Sequence, residues 1–157
     1  MERKYSACIF VATAINVALA TRAGLTVNDV IIDGQEYYIN TTKMTKMDAM
    51  AECAARNMQP ISLEESGKWD IISSYVNEND LYRDSFWIGA ERVNNLKWHW
   101  DWSGKQVVDF YWGESYPRYE AVTEFAFCLK FQMEIFKGWM DTYCDSGRAG
   151  TFCQVIV

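Results

Sequence analysis

Histidine is almost absent from this chain: His99 is the single one in 157 residues. That scarcity removes most chemistry that uses an imidazole as base or metal ligand. Positive charge is also in short supply, with 15 Lys and Arg against 21 Asp and Glu and a net charge of −6. A nucleic-acid partner calls for a basic patch or excess and is excluded on that balance. Beyond residue 20 no apolar run approaches the ~20 residues that span a bilayer, so no membrane insertion is expected. Linkers, repeats and low-complexity tracts are missing too, which leaves one domain in a chain of this length. What the chain does have is apolar and aromatic: 50% hydrophobic residues, seven Trp and five Cys. That composition buries a core and is not that of a disordered chain.

Arg3 and Lys4 stand ahead of an apolar stretch from Tyr5 to Ala20 that closes on Ala18-Leu19-Ala20. A basic start, a short apolar run and a small-x-small ending make up a secretory signal peptide. Residues 1–20 are therefore expected to be removed, with cleavage after Ala20 or after Ala23. Ser6, Thr13 and Asn16, and the shortness of the run, argue against a transmembrane anchor. The mature protein is then expected to be secreted and extracellular, with its domain over 30–157. Cys8 leaves with the leader. Cys53, Cys128, Cys144 and Cys153 remain, an even set on an oxidising route, and favour two disulfides. None shows CxxC spacing and no histidine lies near, so zinc is a poor competitor. Four cysteines permit three pairings, and spacing does not choose among them. A bridge from Cys53 to Cys153 would close nearly the whole domain, worth about 4–5 kcal/mol in the chain-entropy model. The sequon Asn40-Thr41-Thr42 makes Asn40 a candidate for glycosylation.

Gln35 to Ile39 reads as a short first strand. Thr45 is a suitable N-cap for a helix that follows, in which Met47, Met50, Ala54 and Met58 fall on one stripe and are expected in the core. Ser62-Leu63-Glu64-Glu65 has the form of a capping box opening a second helix. Trp69, Ile72, Tyr75 and Val76 continue its apolar face. Short aromatic strands are expected next: Phe86 to Gly89, Leu96 to Trp102 and Val107 to Trp112, with a turn at Ser103-Gly104. Trp98, Trp100 and Trp102 alternate and so share one strand face, expected to pack in the core, while His99 and Asp101 point the other way. Phe125 to Met133 alternates again. Two helices followed by irregular β structure indicate an α+β fold.

Several landmarks together resemble the C-type lectin-like domain family. They are a cysteine in the first helix, Trp87-Ile88-Gly89, Trp102-Ser103-Gly104, Trp112 ahead of a Pro-bearing loop, Cys128, Trp139-Met140-Asp141, Cys144 and Phe152-Cys153. The resemblance runs from about Gln35 to Val155. Asn57-Met58-Gln59 before Ile61-Ser62 is similar to the phrasing of single-domain secreted insect lectins. The resemblance implies a double-loop α+β fold, two helices with small antiparallel sheets and a long loop presenting ligands. It also implies the disulfides Cys53–Cys153 and Cys128–Cys144.

In sugar-binding members of that family a calcium ion sits on the long loop and needs hard oxygen ligands. The family supplies them through a Glu-Pro-Asn type triplet, a later Glu and a Trp-Asn-Asp motif. Here the triplet position holds Tyr116-Pro117-Arg118, with a phenol and a cation for the two ligands. Trp139-Met140-Asp141 keeps the aspartate but places a soft thioether before it. Glu124 and Asp141 are the remnant ligands, and Glu124 stands four residues before Cys128 where two is usual. The calcium-dependent sugar site is therefore expected to be lost, and no cofactor is expected. The candidate ligand-binding residues are Tyr116, Arg118, Tyr119, Glu120, Glu124 and Asp141, with an extracellular glycan or protein as partner. The plain alternative is a solvated loop in which Arg118 pairs with Glu120 or Asp141. A calcium-dependent lectin with atypical ligands is the runner-up. An enzyme competes from another class, since Glu114, Glu120 and Glu124 offer carboxylates for glycoside hydrolysis. No GxSxG or HExxH motif accompanies them or His99, so no catalytic residue is assigned.

Overall fold

The computed structural model describes residues 28–94 and 96–156. The expected leader over residues 1–20 lies outside the described residues.

Strand β1 (Asp29–Ile32) turns through Asp33-Gly34 into β2 (Gln35–Met44), both turn residues having positive φ. Such a two-residue turn matches the twist of paired strands. Helix α1 (Lys46–Ala54) starts at Thr45, whose side-chain oxygen accepts the Asp48 amide at 3.1 Å. It stops by Asn57, which takes a left-handed φ of 56° before strand β3 (Met58–Pro60). Helix α2 (Lys68–Glu78) is followed by β4 (Ser85–Val93) and the two-residue β5 (His99–Trp100). A long loop leads to β6 (Ala126–Gln132), then β7 (Gly138–Tyr143) and β8 (Ala149–Val155). Neighbouring strands run in the order β1-β2-β8-β4-β6-β7, with β3 on β8 and β5 on β4. Pairing is antiparallel except where β4 meets β8 at Phe86 and Gly150. Gly150 fits that crossing because a Cβ there would come 2.5 Å from the Asn40 carbonyl and 3.1 Å from the Phe86 ring. This is the expected α+β arrangement of two helices and small sheets.

The core forms where α2 lies on the sheets. Trp69, Ile72 and Val76 are buried against Phe86, Ile88, Phe131, Trp139 and Phe152, as the α2 periodicity implies. Trp139 takes edge contacts from Trp69, Trp100, Phe110 and Tyr111 at 5.4–6.3 Å between centroids. Edge-to-face contact suits the ring quadrupole. The disulfides join Cys53 to Cys153 and Cys128 to Cys144, as the resemblance implies. The first ties α1 to β8, and the second ties β6 to the chain just beyond β7.

Four local expectations are corrected. The methionine stripe of α1 faces outward: Met47 is 78% exposed, and Met50 and Ala54 are exposed as well. Of that set only Met58 is buried, and it belongs to β3. The buried face is Lys46, Ala49 and Cys53, because the disulfide and the small Ala49 beneath Trp87 draw the helix close on that side. Ser62-Leu63-Glu64-Glu65 opens no helix. α2 begins at Lys68, six residues after Ser62, behind a left-handed Gly67 with no side-chain cap. The Ser62 amide that Glu65 would accept in such a box goes to Gln154 Oε1 at 3.0 Å, and Glu64 accepts from Ser103 Oγ at 2.9 Å and meets Lys105 Nζ at 3.0 Å.

The strands expected over Leu96–Trp102 and Val107–Trp112 shrink to His99–Trp100 and two isolated bridges, His99 with Gln106 and Trp112 with Trp139. The chain there divides its hydrogen bonds between β5 and β7: Val107 N donates to Trp98 O, and Trp139 N donates to Tyr111 O. The tryptophan face breaks up accordingly. Trp100 is buried and Trp98 half-buried, whereas Trp102 sits on the turn and is 59% exposed.

Lys46 explains the opposite strand face. Its ammonium donates to Ile88 O at 2.7 Å and lies 3.0 Å from Asp101 Oδ2, an ionic contact in which neither Asp101 oxygen accepts a hydrogen bond. Lys46→Ala strands that carboxylate, and a loss of ~3–5 kcal/mol is expected in urea unfolding, with part recovered in Lys46→Ala/Asp101→Asn. Paired Cys→Ser changes at 53 and 153, which close a separation of 100, should cost more than those at 128 and 144, separated by 16. The expected difference is about 1–2 kcal/mol in the same assay, following the logarithmic dependence on loop size.

Candidate functional site

The long loop between β5 and β6 has almost no regular structure, so its shape depends on anchors. Its first half is laid along β7. Gly113 N donates to Trp139 O at 2.8 Å, and Gly138 admits the crossing because a Cβ there would lie 2.5 Å from Tyr111 O. The second half turns at the cis Tyr116–Pro117 bond. Just beyond it, the two carboxylate oxygens of Asp141 accept the backbone amides of Arg118 and Tyr119, each at 2.8 Å. Asp141 is only 2% exposed.

A second anchor comes from β4. Arg92, 7% exposed, donates to Tyr119 O at 2.8 Å, Val122 O at 3.2 Å and Glu120 O at 3.4 Å. Its guanidinium also lies over the Phe127 and Trp98 rings at 5.0 and 5.7 Å. A planar fork of donors suits such convergent carbonyls. The sequence reading missed Arg92. The available signal is inward alternation along β4, where Ile88, Ala90 and Arg92 are all buried.

The six candidate residues separate into different roles. Tyr119 is an internal post, its ring stacked on Phe127 at 5.1 Å and tilted against Tyr143 at 5.0 Å. Tyr116 is half-buried, edge-on to Phe136 at 5.3 Å, and partial burial raises its phenol pKa. Arg118 reaches over the Tyr116 ring at 4.4 Å. An ion pair of Arg118 with Glu120 or Asp141 is not found among the described residues, because Asp141 meets the Arg118 backbone instead. Glu120 lines a cavity of about 310 Å³ beside the loop; Asp141 and Pro117 also border it. Glu124 is exposed and is not among that lining. The remaining wall is aromatic and cationic: Trp98, Phe110 and Trp112, with Arg92 and Lys97. Phe110 stacks on Trp112 at 5.1 Å and 7°. The three rings were not expected at a site, since their sequence pattern is that of core aromatics.

The calcium ligands implied by the resemblance can be tested against this geometry. Tyr116 and Arg118 supply no hard anionic oxygen, and both oxygens of Asp141 are committed to amides. Among the described residues the cluster of potential donor groups close enough to share an ion is Glu91 with Cys128 and Cys144, whose sulfurs are joined in a disulfide. The residues at the loop do not fit a calcium ion.

The profile of the Lectin C-type domain matches residues 42–155. The chain belongs to the C-type lectin domain family. No curated protein sequence matches this lectin-domain chain significantly. Among solved structures it is similar to human lithostathine, with 23% identity, a TM-score of 0.67 and coverage of 88% of this chain and 94% of that one. It is also similar to SPL-1 in its complex with GlcNAc, at 18% identity and TM-score 0.65 over 84% and 95% of the two chains. SPL-2 from Saxidomus purpuratus, described as a Ca2+-independent C-type lectin, matches at 18% and 0.63 over 83% and 92%. These similarities place the C-type lectin fold of this chain among known examples.

The anchoring role of Arg92 is directly measurable. Arg92→Met removes the donors to three loop carbonyls, with an expected loss on the order of 2–3 kcal/mol. Amide hydrogen exchange over residues 118–122 should accelerate strongly while the β6 and β7 amides stay protected.

Proposed function

We propose that this C-type lectin domain is a secreted recognition module that binds an extracellular glycan or protein at the long loop without calcium. The observation that carries the reading is the commitment of both Asp141 oxygens to loop amides. The carboxylate that would serve a metal shapes the loop instead. The ligand surface is then the cavity edged by Trp98, Phe110 and Trp112, with Arg92, Lys97, Glu120 and Asp141 as its charged groups. Aromatic faces accept the apolar side of a sugar ring, and aromatic residues with arginine also dominate protein-binding hot spots.

Secretion is supported by two disulfides, which persist in oxidising compartments, and by the apolar sequence over residues 5–20. No helix among the described residues is long and apolar enough to cross a membrane. Glycosylation at Asn40 belongs to the same reading; its side-chain nitrogen donates to Glu52 Oε1 at 2.9 Å in the folded domain. No enzymatic activity is assigned, since the carboxylates of Glu114, Glu120 and Glu124 occupy an exposed loop.

A glycan array run with calcium and again with EDTA tests the reading. Equal binding in both conditions is the expected outcome. Binding that requires calcium would establish the calcium-dependent alternative. Silence on the array under both conditions would direct the search to a protein ligand.

A further inference from the structure

A second cavity, about 410 Å³, shares no lining residue with the first. Its volume is within the ~300–1,000 Å³ range of small-molecule sites. One wall is a sheet face. Gln154 of β8 stands opposite both Gln59 of β3 and Tyr37 of β2, and residues opposite one another on a ladder share a face. Gln35 lies two residues before Tyr37, so it falls on that face as well. A face that could have been closed with aliphatic side chains is lined with amides.

The amides are oriented. Gln154 Oε1 accepts from Lys68 Nζ at 2.6 Å and from the Ser62 amide at 3.0 Å. Gln35 Oε1 accepts the Tyr37 hydroxyl at 2.7 Å. With their oxygens engaged, these two side chains turn amino groups to other acceptors. Gln59 also lines the cavity but is only 7% exposed, and its Oε1 is sealed beneath the wall.

The charges around the cavity balance. Glu64 and Glu65 are met by Lys68 and Lys105. Lys105 holds Glu64 at 3.0 Å and keeps its carboxyl below the usual range, while burial lowers the Lys68 ammonium. An anionic or cationic ligand gains little from a balanced rim. Trp102 completes the site, a broad and exposed indole on the β5 turn at the cavity edge.

We propose that this cavity is a second saccharide subsite, taking a neutral hexopyranose with its apolar face on Trp102 and its hydroxyls on Gln35 and Gln154. A pyranose has one face of C–H groups and a ring of hydroxyls that can accept, which matches an indole beside amide donors. The subsite stands independently of the reading of the long loop.

The test uses the mature protein in EDTA, with glucose, galactose, mannose and N-acetylglucosamine titrated separately. Binding is followed by saturation-transfer NMR and calorimetry. At least one sugar is expected to bind saturably, with affinity falling tenfold or more in Trp102→Ala and in Gln35→Leu. Trp102 is exposed, so its variant retains the fold, to be checked by circular dichroism. Absence of saturable binding for all four sugars overturns the subsite, as does equal binding by wild type and Trp102→Ala. Binding kept in Trp102→Ala but lost in Trp112→Ala overturns it too, and leaves the long-loop reading standing.

Discussion

A buried carboxylate with each oxygen held by a main-chain amide is the constraint on which the candidate site depends. Asp141 comes from β7, where its neighbour Trp139 is locked in the core, so the acceptor is as rigid as the sheet. The loop it receives carries no ladder of its own. Charge-assisted hydrogen bonds to two successive amides fix the direction of the chain just after the cis bond. Everything beyond that point, from the Tyr119 ring in its aromatic slot to the carbonyls gathered by Arg92, follows from where Asp141 sets the backbone.

This arrangement recasts the chemistry of the domain. A C-type lectin loop that organises itself around a divalent ion needs several carboxylates directed inward. Here one carboxylate and one guanidinium, from β7 and β4, divide the work: the anion takes amide protons and the cation takes carbonyl oxygens. Both polarities of the loop backbone are thereby satisfied by protein groups. Preorganisation without a bound ion lowers the ordering cost of binding a ligand.

The parts of the fold that the sequence revealed are those fixed by covalent or short-range chemistry. The Thr45 cap, the apolar face of α2 and the order of landmarks from Trp87 to Cys153 are legible because each is local. The methionine face of α1 misled because hydropathy ranks Met above Ala and Lys, whereas the distance between helix and strand is decided by Ala49 and Cys53. The supposed capping box misled because the Ser62 amide that Glu65 would accept goes to Gln154, a residue of the last strand. Counting from Trp112 and Cys144 located the loop from Tyr116 to Glu120 and its anchor Asp141, but of the six candidates only Glu120 and Asp141 border the cavity. Arg92 and the Trp98–Phe110–Trp112 wall were not legible, since their roles arise between segments far apart in sequence. The Asp33-Gly34 turn that creates β1 was plainly written and went unread.

The Cys53–Cys153 bridge has one more consequence. It joins the first helix to the last strand, so the whole of the long loop lies between two points that are already covalently linked. A protease cutting that loop after Trp102 and before Phe125 produces two chains that cannot separate. The severed domain stays one covalent molecule, heavier than the intact one by a single water, until a reductant is added.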